Sequence, residues 1–135
     1  MNTLSRDHIK NVVNTIWSQI VATTEPDVIG SWGLSGLNAT QIVKNVNGSD
    51  FAMAALVLKV EGFAFQGDVY VALDEGVDYY RIYFLKDGDL QEQRCDISFE
   101  ELGRVLDSLI ETGELTKEQY EAKIDQEYGF HILLM

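Results

Sequence analysis

Hydrophobic positions recur first at helical spacing. Ile9, Val12, Val13, Ile16, Trp17, Ile20 and Val21 share one side, and Asp7, Lys10, Asn11, Asn14, Ser18 and Gln19 take the other. This pattern predicts an amphipathic helix, with Ser5 placed to cap it. "TTEPD" stops the helix, because Pro26 has no amide hydrogen and disfavours helical geometry at Glu25.

The period then shortens. Gly30, Gly33 and Gly36 interrupt the next stretch, which we read as two modest strands near 28–35 and 39–46, the second ending in a turn on Asn47-Gly48. "FAMAALVLKV" is apolar on both faces, as a covered central strand should be. "EGFAFQG" reads as a bend or bulge. "DVYVALD" alternates, with Val69, Val71 and Leu73 on one face. "VDYYRIYFLK" alternates too: Tyr80, Ile82 and Phe84 suit the core, and Tyr79, Arg81 and Tyr83 take the opposite face. "LQEQRCDI" is a weaker, edge-type strand. "DEGV" and "KDGD" are hairpin turns, and Asp87-Gly88 carries a type I′ signal.

Helical spacing returns at the end. Ser98-Phe-Glu-Glu101 has the form of a capping box, followed by the stripe Leu102, Val105, Leu106, Leu109 and Ile110, with Gly113 as terminator. Thr116-Lys-Glu-Gln119 is a second capping box, with Leu115 and Tyr120 at hydrophobic-staple spacing. Tyr120 and Ile124 face inward, and "GFHILLM" is an apolar tail. The order predicts one α+β domain over residues 1–135: an N-terminal helix, an antiparallel meander of about five to six strands, and two C-terminal helices. The lack of strand–helix alternation argues against a Rossmann-type sheet.

"LIETGELTKEQYEAKI" resembles the short C-terminal helical hairpin called the SHOCT domain. Gly113, Leu115, Thr116, Glu118, Gln119, Tyr120, Ala122 and Lys123 stand at matching positions. The likeness covers residues 102–124 only. It implies an oligomerisation or interaction role rather than catalysis.

Charge sharpens this picture. The chain of 135 residues carries a net charge of −12. Residues 1–60 hold 4 acids and 4 bases, whereas residues 61–135 hold 18 acids and 6 bases. Such a surface repels nucleic acid and anionic membrane and attracts basic partners. One cysteine, Cys95, excludes an internal disulfide and a Cys-rich metal site and fits a reducing, cytoplasmic location. The segment "MNTLSRDHIKNVVNTIW" has no basic stretch followed by an apolar one, so no secretory leader is expected.

Catalytic chemistry finds little support. Cys95 alternates onto the face of Ile97 and is expected to be a packed thiol between Arg94 and Asp96. His8 and His131 have no local partner at metal or dyad spacing. The glycines at 30, 33 and 36 lack the helix and lysine of a phosphate loop. Asp87, Gly88 and Asp89 lack the further ligands of a calcium loop. No metal or cofactor is expected.

Tyr79, Arg81 and Tyr83 are instead the residue types enriched at binding hot spots, and Tyr70 on the preceding strand extends the patch. A second candidate surface is the acidic set Glu111, Glu114, Glu118, Glu121, Asp125 and Glu127. We expect a non-enzymatic interaction protein, an inhibitor or adaptor for a basic, nucleic-acid-binding protein, in analogy with small acidic anti-defence proteins that mimic DNA charge. It would bind neither nucleic acid nor membrane directly. Two other readings stand beside it: a chaperone-like or structural module that dimerises through "GFHILLM", and a small-ligand binder with a pocket between sheet and helices.

Overall fold

The computed structural model describes residues 3–113, and these form an α+β fold. Helix α1 spans Arg6–Thr23 and presents Val13, Ile16 and Ile20 to the core. Ser5 caps it as expected: its hydroxyl accepts the His8 amide at 3.1 Å.

The strand expected near 28–35 is absent. Residues Pro26–Ser31 instead form a short helix, α2, with Pro26 in its first turn. Proline's fixed φ suits that position, and its missing amide hydrogen is no loss there. Trp32 follows and is fully buried. Its indole Nε1 donates to Asp107 Oδ1 at 3.0 Å, so Trp32 is a core residue and not a surface anchor.

Five strands follow as a simple antiparallel meander in the order β1-β2-β3-β4-β5. They are β1 (Gly36–Val46), β2 (Ser49–Glu61), β3 (Gln66–Asp74), β4 (Tyr79–Lys86) and β5 (Asp89–Ile97). The Asn47-Gly48 and Asp87-Gly88 turns have positive φ at both residues, as the type I′ form requires. The β3–β4 turn is longer; Asp78 adopts positive φ and donates its amide to the Asp74 carbonyl at 2.8 Å. The interior strand β2 is buried on both faces over its middle, as its continuous apolar run predicts.

One face of the sheet carries the main core. Leu56, Leu58, Val69, Val71, Ile82 and Phe84 pack there with Ile16 and Ile20 of α1 and with Trp32. Helix α3 (Leu102–Asp107) adds Leu102 and Leu106, and the π-turn Ser108–Thr112 adds Ile110. The capping box expected at Ser98 does not form. Residues 98–101 make a turn in which the Glu101 amide donates to the Ser98 carbonyl, and no side chain caps α3. Gly113, at φ 64°, ends the π-turn as expected.

The β2–β3 loop fastens this end of the fold. The Ile110 carbonyl accepts the amides of Ala64 (2.9 Å) and Phe65 (3.0 Å). The carbonyls of a last helical turn have no partner within the helix, and the loop amides satisfy this one. Phe65 stacks on Phe84 with ring centroids 3.7 Å apart. A Cβ on Gly62 would stand 2.3 Å from the Ile110 carbonyl oxygen. Gly62→Ala should therefore lower stability by about 1–3 kcal/mol, the usual cost of overpacking. A urea midpoint equal to that of the parent would show that the loop can move aside.

Candidate functional site

The second face of the sheet holds the tyrosine and arginine residues singled out above. Strand alternation puts Ile42, Met53, Ala55, Tyr70, Ala72, Asp74, Tyr79, Arg81 and Tyr83 on it. The register aligns Tyr70 with Tyr83, and Tyr83 with Glu92. Ile42, Met53, Ala55, Ala72 and Tyr83 form a second buried cluster, with Tyr70 packed against it. Tyr79 lies at its exposed end. The four residues thus share one face, but Tyr83 is only 6% exposed. It forms part of the floor of this face.

Charged side chains ring this cluster. Arg81 donates through Nε and Nη2 to Asp74 Oδ2, each at 3.2 Å, and through Nη1 to Glu92 Oε1 at 2.8 Å. Lys44 reaches the same Glu92 oxygen at 3.0 Å and lies 6.0 Å from the centre of the Tyr83 ring. Lys44 is on β1 and Glu92 on β5, the two opposite edges. In a flat sheet four strand spacings of about 4.8 Å, roughly 19 Å, would separate them, with a further offset along the strands. Their contact requires strong twist and coiling that bring opposite corners of the sheet together over this face.

The protonation states follow from the arrangement. Burial alone would raise the Glu92 carboxyl, but hydrogen bonds and charge from Arg81 and Lys44 hold it below the usual range. The Glu92 hydrogen bond raises Arg81 further, despite opposition from its own burial. Tyr83 is pushed up to about 12, mainly by burial and then by the Glu92 charge, with Arg81 pulling the other way. Its hydroxyl feels that carboxylate, yet among the described residues it has no hydrogen bond of good geometry. A cavity of about 260 Å³ opens beside the charged ring, lined by Lys44, Phe51, Met53, Asp74, Val77 and Arg81.

The acidic set fares differently. Glu111 is buried, at 7% exposure, and its Oε2 accepts the Phe63 amide at 2.8 Å. It holds the β2–β3 loop and is not offered to a partner. Glu114, Glu118, Glu121, Asp125 and Glu127 lie outside the described residues, as do His131, the second capping box and most of the stretch resembling SHOCT. Cys95 is exposed and not packed. Asp96 adopts positive φ and β5 shifts register against β4, so alternation toward Ile97 breaks there. His8 pairs with Glu75 at 2.8 Å, a link from α1 to the β3–β4 turn that no local spacing announces. Among the described residues no group of three or more His, Cys, Asp or Glu side chains could hold a metal ion.

Lys44, Asp74 and Glu92 were not among the expected site residues. Glu92 was accessible in principle: a two-residue turn at Asp87-Gly88 fixes it opposite Tyr83. Lys44 was not, because only the coiling of the sheet brings it there. No protein-family model, curated protein or solved structure matches the chain.

Tyr83 makes a direct test of this geometry. Its raised value means that the folded state favours the neutral phenol. The associated stability is intact below about pH 10, the ordinary tyrosine value, and is lost as pH rises through 10 toward 12. Tyr83→Phe should remove that decline and, because the hydroxyl is buried with no well-formed hydrogen bond, change stability at neutral pH by no more than about 1 kcal/mol. Denaturant midpoints measured at neutral and alkaline pH check both parts, and an equal alkaline loss in the variant would count against the assignment.

Proposed function

We propose that the chain is a non-enzymatic acidic interaction protein that docks a basic, nucleic-acid-binding protein as an inhibitor or adaptor, with DNA-like charge mimicry as its basis. The observation that carries this reading is the excess of acids over bases from β3 onward. Residues 61–113 hold 13 acids and 4 bases. Of those bases, Arg81 is engaged by Asp74 and Glu92, and Arg104 lies 3.7 Å from Glu101. Glu75, Asp78, Asp87, Asp89 and Asp96 are exposed on the two turns and on edge strand β5. A field of this kind accelerates encounter with a cationic surface and is screened by salt. No helix among the described residues is long and apolar enough to cross a membrane.

The partner would be captured from host extract at low salt, identified, and purified for kinetics. Association should slow steeply between low and moderate salt, and Asp87→Lys with Asp89→Lys should slow it at least several-fold with little change in dissociation. A complex indifferent to salt and to both reversals would reject charge-driven docking.

A second reading, small-ligand binding, draws on the 260 Å³ cavity, whose wall combines the apolar Phe51, Met53 and Val77 with the charged Lys44, Asp74 and Arg81. An apolar hollow with a few convergent polar groups is the usual form of a small-molecule site. Native mass spectrometry of protein from its host should then show a small molecule that Met53→Trp displaces by filling the cavity. Identical masses for the bare chain in both preparations would remove this alternative.

A further inference from the structure

The two edges of the sheet are built differently. β5 carries the usual defences against edge pairing: two register irregularities, Asp96 at positive φ, and the charges Asp89, Glu92, Arg94 and Asp96. β1 has only one of these, a single charge. Its eleven residues pair with β2 in unbroken register from Gly36 to Val46, and it contains no proline and one charge, Lys44.

The turn geometry tells which backbone groups of β1 are spare. A two-residue turn closes on the Val46–Ser49 pair, which is therefore hydrogen-bonded, as are the alternate pairs behind it. The amides and carbonyls of Leu37, Ala39, Gln41, Val43 and Asn45 then point away from the sheet. Among the described residues none of them has a backbone partner on that side, and the Gln41 carbonyl accepts only a long bond from the Thr40 hydroxyl at 3.4 Å. Leu37 and Val43 are 46% and 43% exposed at this edge. A groove of about 510 Å³ runs along the seam of α1 and β1 beside Ala39 and Gln41.

We propose that the protein forms a two-fold dimer in which β1 pairs antiparallel with β1 of a second copy, centred on Thr40, joining the two five-stranded sheets into one. This register sets Leu37 opposite the partner's Val43 twice and Lys44 opposite Gly36, so no like charges face each other across the joint. Electrostatics selects the same edge. The whole acid excess lies after residue 60, and Glu92, the β5 acid that reaches β1, is already paired there with Lys44 and Arg81. Pairing through β5 would bring the acidic edges together. The surface is also distinct from the apolar tail. Both acidic faces stay outward, so the dimer is compatible with charge-driven docking and does not depend on it.

Sedimentation of the full chain over a range of concentrations should show a reversible dimer. At the two-fold the Thr40 residues form a non-hydrogen-bonded pair with Cα atoms about 4.5 Å apart, within disulfide range. In a Cys95→Ser background, Thr40→Cys should therefore oxidise to a covalent dimer, and Leu90→Cys on β5 should not. Val43→Lys should give a monomer with an unchanged circular dichroism spectrum. A wild-type monomer at every concentration would overturn the proposal. So would a dimer that Val43→Lys leaves intact and Thr40→Cys fails to cross-link, since that dimer uses another surface.

Discussion

The coiling of the sheet, which brings Lys44 against Glu92, sets the shape on which the rest of the structure depends. That contact joins opposite edges of a five-stranded sheet, which a flat sheet forbids. Ala55 and Ala72 sit fully buried beneath it, and their small side chains leave room for the strands to coil. The ion pairs do not drive this by themselves. Pairs as accessible as Lys44–Glu92 contribute about 0–1 kcal/mol each. Burial of Ile42, Met53 and the Tyr83 ring supplies the larger share, and the charges then close the rim. A sheet face with no described helix on it is in this way kept largely dry.

The opposite end of the fold is held by backbone polarity. The amides of Phe63, Ala64 and Phe65 would be costly to bury unpaired. They are satisfied by the Glu111 carboxylate and the Ile110 carbonyl. The last-turn carbonyl, the buried glutamate and the glycine at 62 are parts of one solution: the end of the helix offers acceptors, and the loop comes close enough to use them. Asp107 lies one turn away. Burial raises its carboxyl above the usual range, the Trp32 indole partly offsets this, and the nearby Glu111 adds to the rise. The acids of this helical segment therefore serve the interior, while those of the turns and β5 serve the surface.

What the sequence made legible was local. The first helix and its serine cap, the double-sided β2 and the Asp87-Gly88 turn follow from periodicity and turn chemistry, and the meander follows from them. Failures came where a local signal met a stronger competitor. Val28 and Ile29 favour strand by propensity, but Pro26 starts a helix turn that carries Trp32 into the core. Ser98 has capping-box spacing, but the chain turns sharply there and α3 begins later. Cys95 has strand alternation, but a bulge reverses it. Glu111 has the composition of a surface acid, and only the fold shows the loop amide waiting for it. Within the candidate site, Tyr70, Tyr79, Arg81 and Tyr83 were found because alternation is a local rule. Lys44 was missed because it arrives through coiling.

These observations separate two properties that composition merges. The net charge of −12 would by itself disfavour self-association, since identical charged bodies repel. The fold removes the conflict by sorting the chain across the sheet. The near-neutral first 60 residues make α1, α2, β1 and nearly all of β2. The acid excess begins as the chain leaves β2 and gathers toward β5. Because the meander keeps sequence order as spatial order, a gradient of charge along the chain becomes a gradient across the sheet. One edge then offers unpaired backbone and little charge, which another β-strand satisfies. The other offers carboxylates and an interrupted ladder, which a cationic surface satisfies and a strand does not. Strand order is thus the physical reason that one small chain can present two chemically distinct edges.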